Sequence, residues 1–469
     1  MTPEVPAYGG GINSSMIDPI VLIAMILAII LTFVLPRKFI VIPLLLMTFL
    51  SPWGQQIYVG GVHLFVPRIL ILVALARVAF INPNSPKSRF AGGWNVVDTV
   101  FVLWLIFRAT TFIILFHGDS GAIIYEGGFV WDVLGGYILL RLLIQTEDDI
   151  VRVVKVFAVV ALVCGLTMLN EKLRGQNVFG YLGSISILPE NREGSIRAQG
   201  PFAHPILAGT FGVTLVPLFW WLWHSKKSKI FAISGFIGST LMMLTCASST
   251  PLFGYLACFI GLTFWPFRNR MRLFRWGIAL ALIALHLVMK APVWFLIARV
   301  DLIAGNSGYH RAELIDQCIR HFSDWWLIGT TASGTWGFDM WDLSNQFVAE
   351  AETGGLVTFI CFVLIISRSF SRIGCARKIA ENQKDTKQEW FMWFLGISLF
   401  AHIVSYFGIS YFDNVKIYWC AFLAIVAAAT APILATQEVE VEVPQVHKQS
   451  KLRASPAYRL PTVQSRQGR

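Results

Sequence analysis

The residues able to do chemistry fall in four places. The stretch "GYHRAELIDQCIRHFSDWWLIGT", Gly308 to Thr330, carries Arg311, Glu313, Asp316, Arg320, His321 and Asp324 between two long apolar runs, and His310 sits beside Arg311. The stretch "SIRAQGPFAHPILAG" puts Arg197 before a Gly-Pro turn and opens a helix on His204-Pro205. A Pro suits a first helical turn. An Arg at that point can hold a phosphate or diphosphate through paired N–H donors, or can pair with lipid phosphate or with Glu193. A third stretch, "GTWGFDMWDLSNQFVAEAETGGLVTF", crowds Asp339, Asp342, Glu350 and Glu352 where the chain turns apolar again. A carboxylate there can serve as general base toward a hydroxyl, and Gly354-Gly355 permits a bend or close packing. The fourth set is Arg68, Arg108, Glu126 and Asp132, inside or at the ends of apolar runs. Charges at membrane depth cost roughly 2.5–3.5 kcal/mol each on insertion scales, so they pair or line a wet cavity. Arg108 with Asp132 or Glu126 is the expected pair, as structural glue or as a substrate site.

The elements that position these groups follow from composition. The 469 residues are 55% hydrophobic and only 14% charged, with mean hydropathy +0.63; a soluble domain is about 25% charged. The chain reads as an all-α polytopic membrane protein of about 12–13 transmembrane helices. Predicted spans are approximately 17–35, 39–51, 64–81, 97–117, 123–144, 150–169 and 204–223. They continue with 229–247, 252–267, 274–290, 346–367, 390–409 and 416–435. The formal charge of +11 gathers in loops 36–38, 82–89, 224–229, 268–275 and 368–389, which orient the protein rather than bind nucleic acid. Those loops all fall on one side, the cytoplasm by the positive-inside rule. The N-terminus lacks the basic region of a cleavable signal, so the first run is expected to stay as an anchor. Most of the seven cysteines lie in apolar runs, with Cys318 in a polar connector, which argues against a disulfide framework.

Domain organisation follows: N-terminal spans over 1–169, a connector over 170–203, central spans over 204–290, a large loop over 291–345, C-terminal spans over 346–435, and a disordered cytoplasmic tail over 436–469. Both connectors fall on the non-cytoplasmic side, and long loops are usually functional. ATP is not available there, so chemistry must use a substrate carrying its own activation. Within the large loop, Arg311, Ile315, Cys318, Phe322 and Trp325 recur at helical steps, with Glu313, Asp316, Gln317, Arg320 and Asp324 opposite. That pattern predicts an amphipathic surface helix closed by Trp325-Trp326, placed to cover a cavity or to seal the bundle.

At these residues the chain resembles the O-antigen ligase and O-antigen polymerase superfamily of bacterial C-type membrane glycosyltransferases. The resemblance covers about 190–370: "RAQGPFAHPILAG", the polar break "ASSTPLFGYLA", the loop helix "GYHRAELIDQCIRHFSDWWLIGTTASGTWG", and "SNQFVAEAETGGLVTFI". It implies glycosyl transfer at the periplasmic face of the inner membrane, with the tail cytoplasmic. The donor would be a glycan on undecaprenyl diphosphate and the acceptor a second glycan, with no cofactor, nucleotide or metal. By position Arg197 and Arg311 match the family's diphosphate-contacting arginines. Glu350 and Asp342 are the carboxylates for proton transfer, and His204, His310, Arg108, Arg68, Asn345 and Trp326 are candidate substrate contacts. Ligases of the family carry His-Asn where this chain has Ser344-Asn345, so the base must be another group: His204, His310, Asp342 or Glu350. That departure favours a polymerase of exopolysaccharide or O-antigen over a ligase onto lipid A core. A chain-length regulator and a flippase of the same pathway are the implied partners, with membrane lipid and no nucleic acid.

Two other classes compete. A transporter or lipid-linked-sugar flippase commonly shows paired repeats and short external loops; this chain shows no obvious repeat and spends its polar residues on two connectors. An envelope scaffold would need no chemistry at all. No P-loop, HExxH, CxxC pair or GxSxG is present.

Overall fold

The computed structural model describes residues 13–80, 90–192, 194–299 and 307–452, with the side chains of 307 and 436–452 excepted. The chain is mainly helical. In order come α1 (Pro19–Val34), α2 (Val41–Leu50), α3 (Val66–Phe80), α4 (Val96–Leu115), α5 (Ser120–Val130), α6 (Gly136–Leu143) and α7 (Glu147–Arg174). Then follow α8 (Pro205–His224), α9 (Lys229–Thr245), α10 (Ser249–Thr263), α11 (Met271–Val288) and α12 (Leu296–Arg299). The last are α13 (Ser307–Arg320), α14 (Phe322–Trp325), α15 (Gln346–Asn382), α16 (Thr386–Tyr406) and α17 (Val415–Leu452). Each predicted span coincides with a helix, and 123–144 takes in α5 and α6 joined by a π-helical turn, Trp131–Gly135. Among the described residues seven helical segments are long and apolar enough to cross a membrane. They are α4, α5 with α6, α7, α8, α11 with the turn before it, α15, and α17 through Ala435; α1, α9 and α10 are apolar but shorter.

Burial orders these helices. α8 and the apolar half of α17 are almost wholly buried and form the axis of the core. α9 lies close on α7 because Gly165 and Gly238 meet: a Cβ at Gly238 would stand 2.3 Å from the Ala161 backbone. α1 shows Ile20, Ile23, Leu27 and Val34 outward, and α11 buries no residue. Outward apolar faces of this kind suit a lipid surround. The seven cysteines are free.

Basic loops gather at one end of the bundle. There Arg37 donates to the Leu142 carbonyl, Lys227 sits 3.1 Å from Glu147, and Arg268 pairs with Glu389 at 2.6 Å. Loop 82–89 lies outside the described residues.

Two features of the opposite end depart from the all-helical expectation. β1 (Gln56–Val59) and β2 (Val62–Phe65) form a hairpin, and β3 (Glu190–Arg192) pairs with β4 (Ser195–Arg197). Gly60-Gly61 turns the first hairpin with positive φ at both residues, the geometry that two-residue hairpins need. Gln55 anchors it, donating to the Leu182 carbonyl at 2.7 Å and accepting from the Asp18 amide at 2.8 Å.

The large loop folds onto α15. Gly355 leaves helical geometry at φ 71°, so the bond from the Leu356 amide to the Glu352 carbonyl is lost. The loop restores both groups: the Thr330 amide donates to the Glu352 carbonyl, and the Leu356 amide to the Trp326 carbonyl, each at 2.8 Å. A Cβ at Gly355 would meet the Leu327 carbonyl oxygen at 2.7 Å, and one at Gly329 would meet the Glu352 carbonyl oxygen at 2.1 Å. The Gly pair is thus a bend, made for backbone docking. Leu314, Cys318, Trp325, Trp336 and Met340 form a separate small core with Val348 and Ala351 of α15.

The loop helix is less cleanly amphipathic than its spacing predicts. Arg311, Cys318 and Trp325 are buried as expected, but Asp316 is buried too, while Phe322 and Ile319 face outward. Trp294 Nε1 and Arg320 Nε donate to the Asp316 carboxylate at 3.1 and 2.6 Å, which makes its burial tolerable. α17 continues through Leu452, since adding turns to an existing helix is far easier than nucleating one; residues 453–469 lie outside the described residues.

Candidate functional site

A cavity of about 1200 Å³ opens at the end of the bundle opposite the basic loops. The hairpin, α3, α4, α5, the start of α15, loop 407–414 and the start of α17 enclose it. Its charges form two sets.

Asp132 centres the first. It sits on the π-helical turn, a local widening often found at functional sites, and is buried. Arg68 Nε and Nη2 donate to its two oxygens at 2.8 and 3.0 Å, and Arg68 Nη1 donates to the His63 carbonyl at 2.6 Å. Lys416 Nζ lies 2.9 Å from the same carboxylate. Gly128 makes room for this fork: a Cβ there would stand 2.6 Å from Arg68 Nη1 and Nη2.

Arg108 centres the second. Its Nε donates to Glu126 at 3.1 Å, and its Nη1 lies 3.9 Å from Glu350 Oε2. Glu350 accepts from Trp104 Nε1 and from Gln346 Nε2, each at 2.7 Å. The guanidinium stacks 4.0 Å from the centroid of Phe129, and Lys416 Nζ approaches the same ring at 5.3 Å. Formally, two cations share Asp132, leaving one positive charge, while Glu126 and Glu350 share one arginine, leaving one negative charge. A formally positive and a formally negative lobe thus both meet the Phe129 ring.

Arg68, Arg108 and Glu350 of the sequence-predicted residues therefore line the cavity. The pairing left open for Arg108 resolves to Glu126, with Asp132 taken by Arg68 and Lys416. Arg197, His204, His310, Arg311, Asp342, Asn345 and Trp326 are not among its lining residues. Most of these form a second group on the connectors. Buried Arg197 donates to Glu190 Oε1 at 2.5 Å; Glu193, the partner expected from sequence, lies outside the described residues. His204 caps α8, accepting from the Ile206 amide at 3.1 Å, and its Nε2 stands 3.9 Å from Glu190. Burial, then the Arg197 charge, lower the His204 pKa to about 4, so its imidazole is neutral at pH 7 and a feeble base. His310 Nε2 contacts the Asp339 carbonyl at 3.0 Å. Partial desolvation, with Asp339 close by, raises the pKa of the exposed Asp342 carboxyl against the charges of His310, Arg311 and Arg192. Arg192 acts on His204 as well, so the two connectors face one another electrostatically.

Asn345 caps α15, accepting from the Phe347 and Val348 amides at 2.9 and 3.3 Å. Trp326 is half exposed and contributes its carbonyl to the bend. Glu352, two residues beyond Glu350, turns toward the loop and Cys318 rather than the cavity. His310, Asp339 and Asp342 could hold a metal ion by proximity, their ligand atoms lying within 4.8 Å of one another. Arg311 and Arg192 act on the same carboxylate, which opposes a cation there.

Sequence reasoning missed Lys416, Gln346 and Trp104. Lys416 stood at the edge of a predicted span, where a lysine is ordinarily a membrane-end charge. Its signal was the unmatched Asp132: a buried carboxylate needs a cation, and few others lie in apolar runs.

Comparison with protein-family models and with curated proteins returned no match for the chain.

Proposed function

We propose that the protein is a membrane glycosyltransferase that joins polyprenyl-diphosphate-linked oligosaccharides, a polymerase of exopolysaccharide or O-antigen repeat units acting at the non-cytoplasmic face. The observation carrying this reading is the two-lobed cavity. Glycosyl transfer from a diphosphate needs donors for a leaving oxyanion beside a base for an incoming hydroxyl. The acceptor oxygen attacks the anomeric carbon as the bond from that carbon to the diphosphate oxygen breaks. The electron pair leaves with the diphosphate, toward the positive lobe, and the hydroxyl proton passes to Glu350. Each Glu350 oxygen already accepts one hydrogen bond and keeps lone-pair capacity for the acceptor.

The basic loops at the opposite end support the sidedness, since positive loops stay cytoplasmic. Ser344-Asn345 supports polymerase over ligase: Asn345 is spent on a helix cap, and no histidine stands beside it.

The test is extension of an undecaprenyl-diphosphate oligosaccharide by purified full-length protein without nucleotide. The expected result is a ladder of longer lipid-linked glycans. Transfer only to lipid A core would make it a ligase; movement of unchanged donor across vesicles, with no new glycosidic bond, would overturn the enzyme reading.

A further inference from the structure

Lys416 and Arg108 hold unspent donors in the cavity. An ammonium carries three N–H donors and a guanidinium five. Among the described residues Lys416 Nζ has one partner, Asp132. Of the Arg108 guanidinium only Nε is hydrogen-bonded, to Glu126, because 3.9 Å from Nη1 to Glu350 is beyond hydrogen-bond range. Both residues line the cavity, and both cations lie against the Phe129 ring. Donors on largely buried cations are costly to leave unmatched. Water can fill those positions, and an incoming group with several acceptor oxygens displaces it.

We propose that Lys416 and Arg108 form a two-pronged clamp for the phosphate oxygens of a prenyl diphosphate, with the Arg68–Asp132 pair holding Lys416 in position. This rests on the glycosyltransferase reading for its substrate class and moves the diphosphate from the connector arginines into the cavity. Asp132 anchors Lys416 from one side while Arg68, locked on both carboxylate oxygens and on the His63 carbonyl, fixes Asp132. Both prongs lie over the same Phe129 ring, 4.0 and 5.3 Å from its centroid. Four carboxylates face the clamp, Asp132, Glu126, Glu350 and Asp413, against three cations, Lys416, Arg108 and Arg68. Retention therefore depends on directional hydrogen bonds more than on net charge, which suits a leaving group that must depart.

The experiment uses the purified full chain and reads quenching of its intrinsic tryptophan fluorescence, to which Trp104 and Trp419 of the cavity lining contribute. Probes are farnesyl diphosphate, farnesyl monophosphate, farnesol and inorganic diphosphate. The diphosphate lipid is expected to bind most tightly and farnesol not to compete. Competition by inorganic diphosphate separates head-group recognition from lipid binding. Lys416→Met and Arg108→Met should each weaken farnesyl diphosphate by about tenfold or more, the scale of a lost charge-assisted bond. Arg377→Met, at the far end on Glu389, should leave it unchanged. Equal affinity in wild type and K416M overturns the clamp. Should K416M not fold, the wild type decides: farnesyl diphosphate must shield Lys416 from an amine-acylating reagent, and undiminished labelling overturns the proposal. Lys416-dependent binding in a protein that transfers no glycan sinks the enzyme reading alone. Glycan transfer with unchanged diphosphate affinity in both variants sinks the clamp alone.

Discussion

The molecule gathers charge in two places by different means. In the cavity the charges come from helices, and each is fixed by a partner far away in sequence: Arg68 to Asp132, Arg108 to Glu126, Lys416 to Asp132. On the connectors Arg197 pairs only seven residues back with Glu190, and Asp342 is exposed on its surface. Packed helices hold a reacting geometry more tightly than loops do. On the proposed reading, chemistry belongs to the cavity, while the large loop is pinned to α15 at the Gly355 bend.

The largest test of that contrast is Glu350→Gln against Asp342→Asn. Losing a general base costs about a hundredfold or more in turnover, so Glu350→Gln should fall that far in initial-rate assays. Asp342→Asn should stay within about threefold; reversal of the two would move the chemistry to the connectors. A second test alters no charge. Gly128→Val must push the Arg68 fork off Asp132, whereas a Cβ at Gly127 meets nothing within 4 Å. Turnover in the first should drop by about tenfold, and Gly127→Val should resemble the wild type. Equal losses would mean that Arg68 positions nothing.

A smaller effect concerns the joint between the two regions. Asp413 lines the cavity and accepts from the Ala203 amide of the connector at 3.1 Å and the Val415 amide at 2.7 Å. Burial nonetheless raises its pKa to about 7. Between the unfolded value near 4 and about 7 the folded state binds more protons, so stability falls as pH rises through that window. Asp413→Asn should flatten this part of the pH profile of thermal unfolding in detergent; an unchanged profile would remove Asp413 as its source. The smallest effect is Asn345→Ala. Loss of a helix cap costs about 1 kcal/mol, so melting temperature should drop while donor KM holds. A KM change without a stability change would restore Asn345 as a substrate contact.

Much of the fold was legible because a membrane-crossing helix needs a long apolar run: the thirteen predicted runs all fall on helices, and among the described residues seven segments are long and apolar enough to cross. The hairpin at 56–65 was legible in principle: "QIYVGGVHLF" has two β-branched and aromatic runs about a Gly-Gly turn. It was overlooked because it sat inside a connector. The site was legible residue by residue but not as a set. Arg68, Arg108 and Glu350 stood out as charges in or beside apolar runs, yet nothing in their spacing says that α3, α4 and α15 meet around one hollow with α17. The π-helical turn at Trp131–Gly135, which supports Asp132, breaks the very periodicity used to assign faces. The burial of Asp316 was hidden for another reason, since Trp294 lies 22 residues away.

Photocrosslinking decides between the two regions most directly. A diazirine placed beside the diphosphate of a farnesyl probe, activated on wild-type protein, should label peptides of the cavity wall around Tyr125, Phe129 and Tyr411–Lys416, with excess farnesyl diphosphate suppressing the signal. Labelling confined to 190–204 and 308–342, leaving the cavity wall clean, would contradict the account.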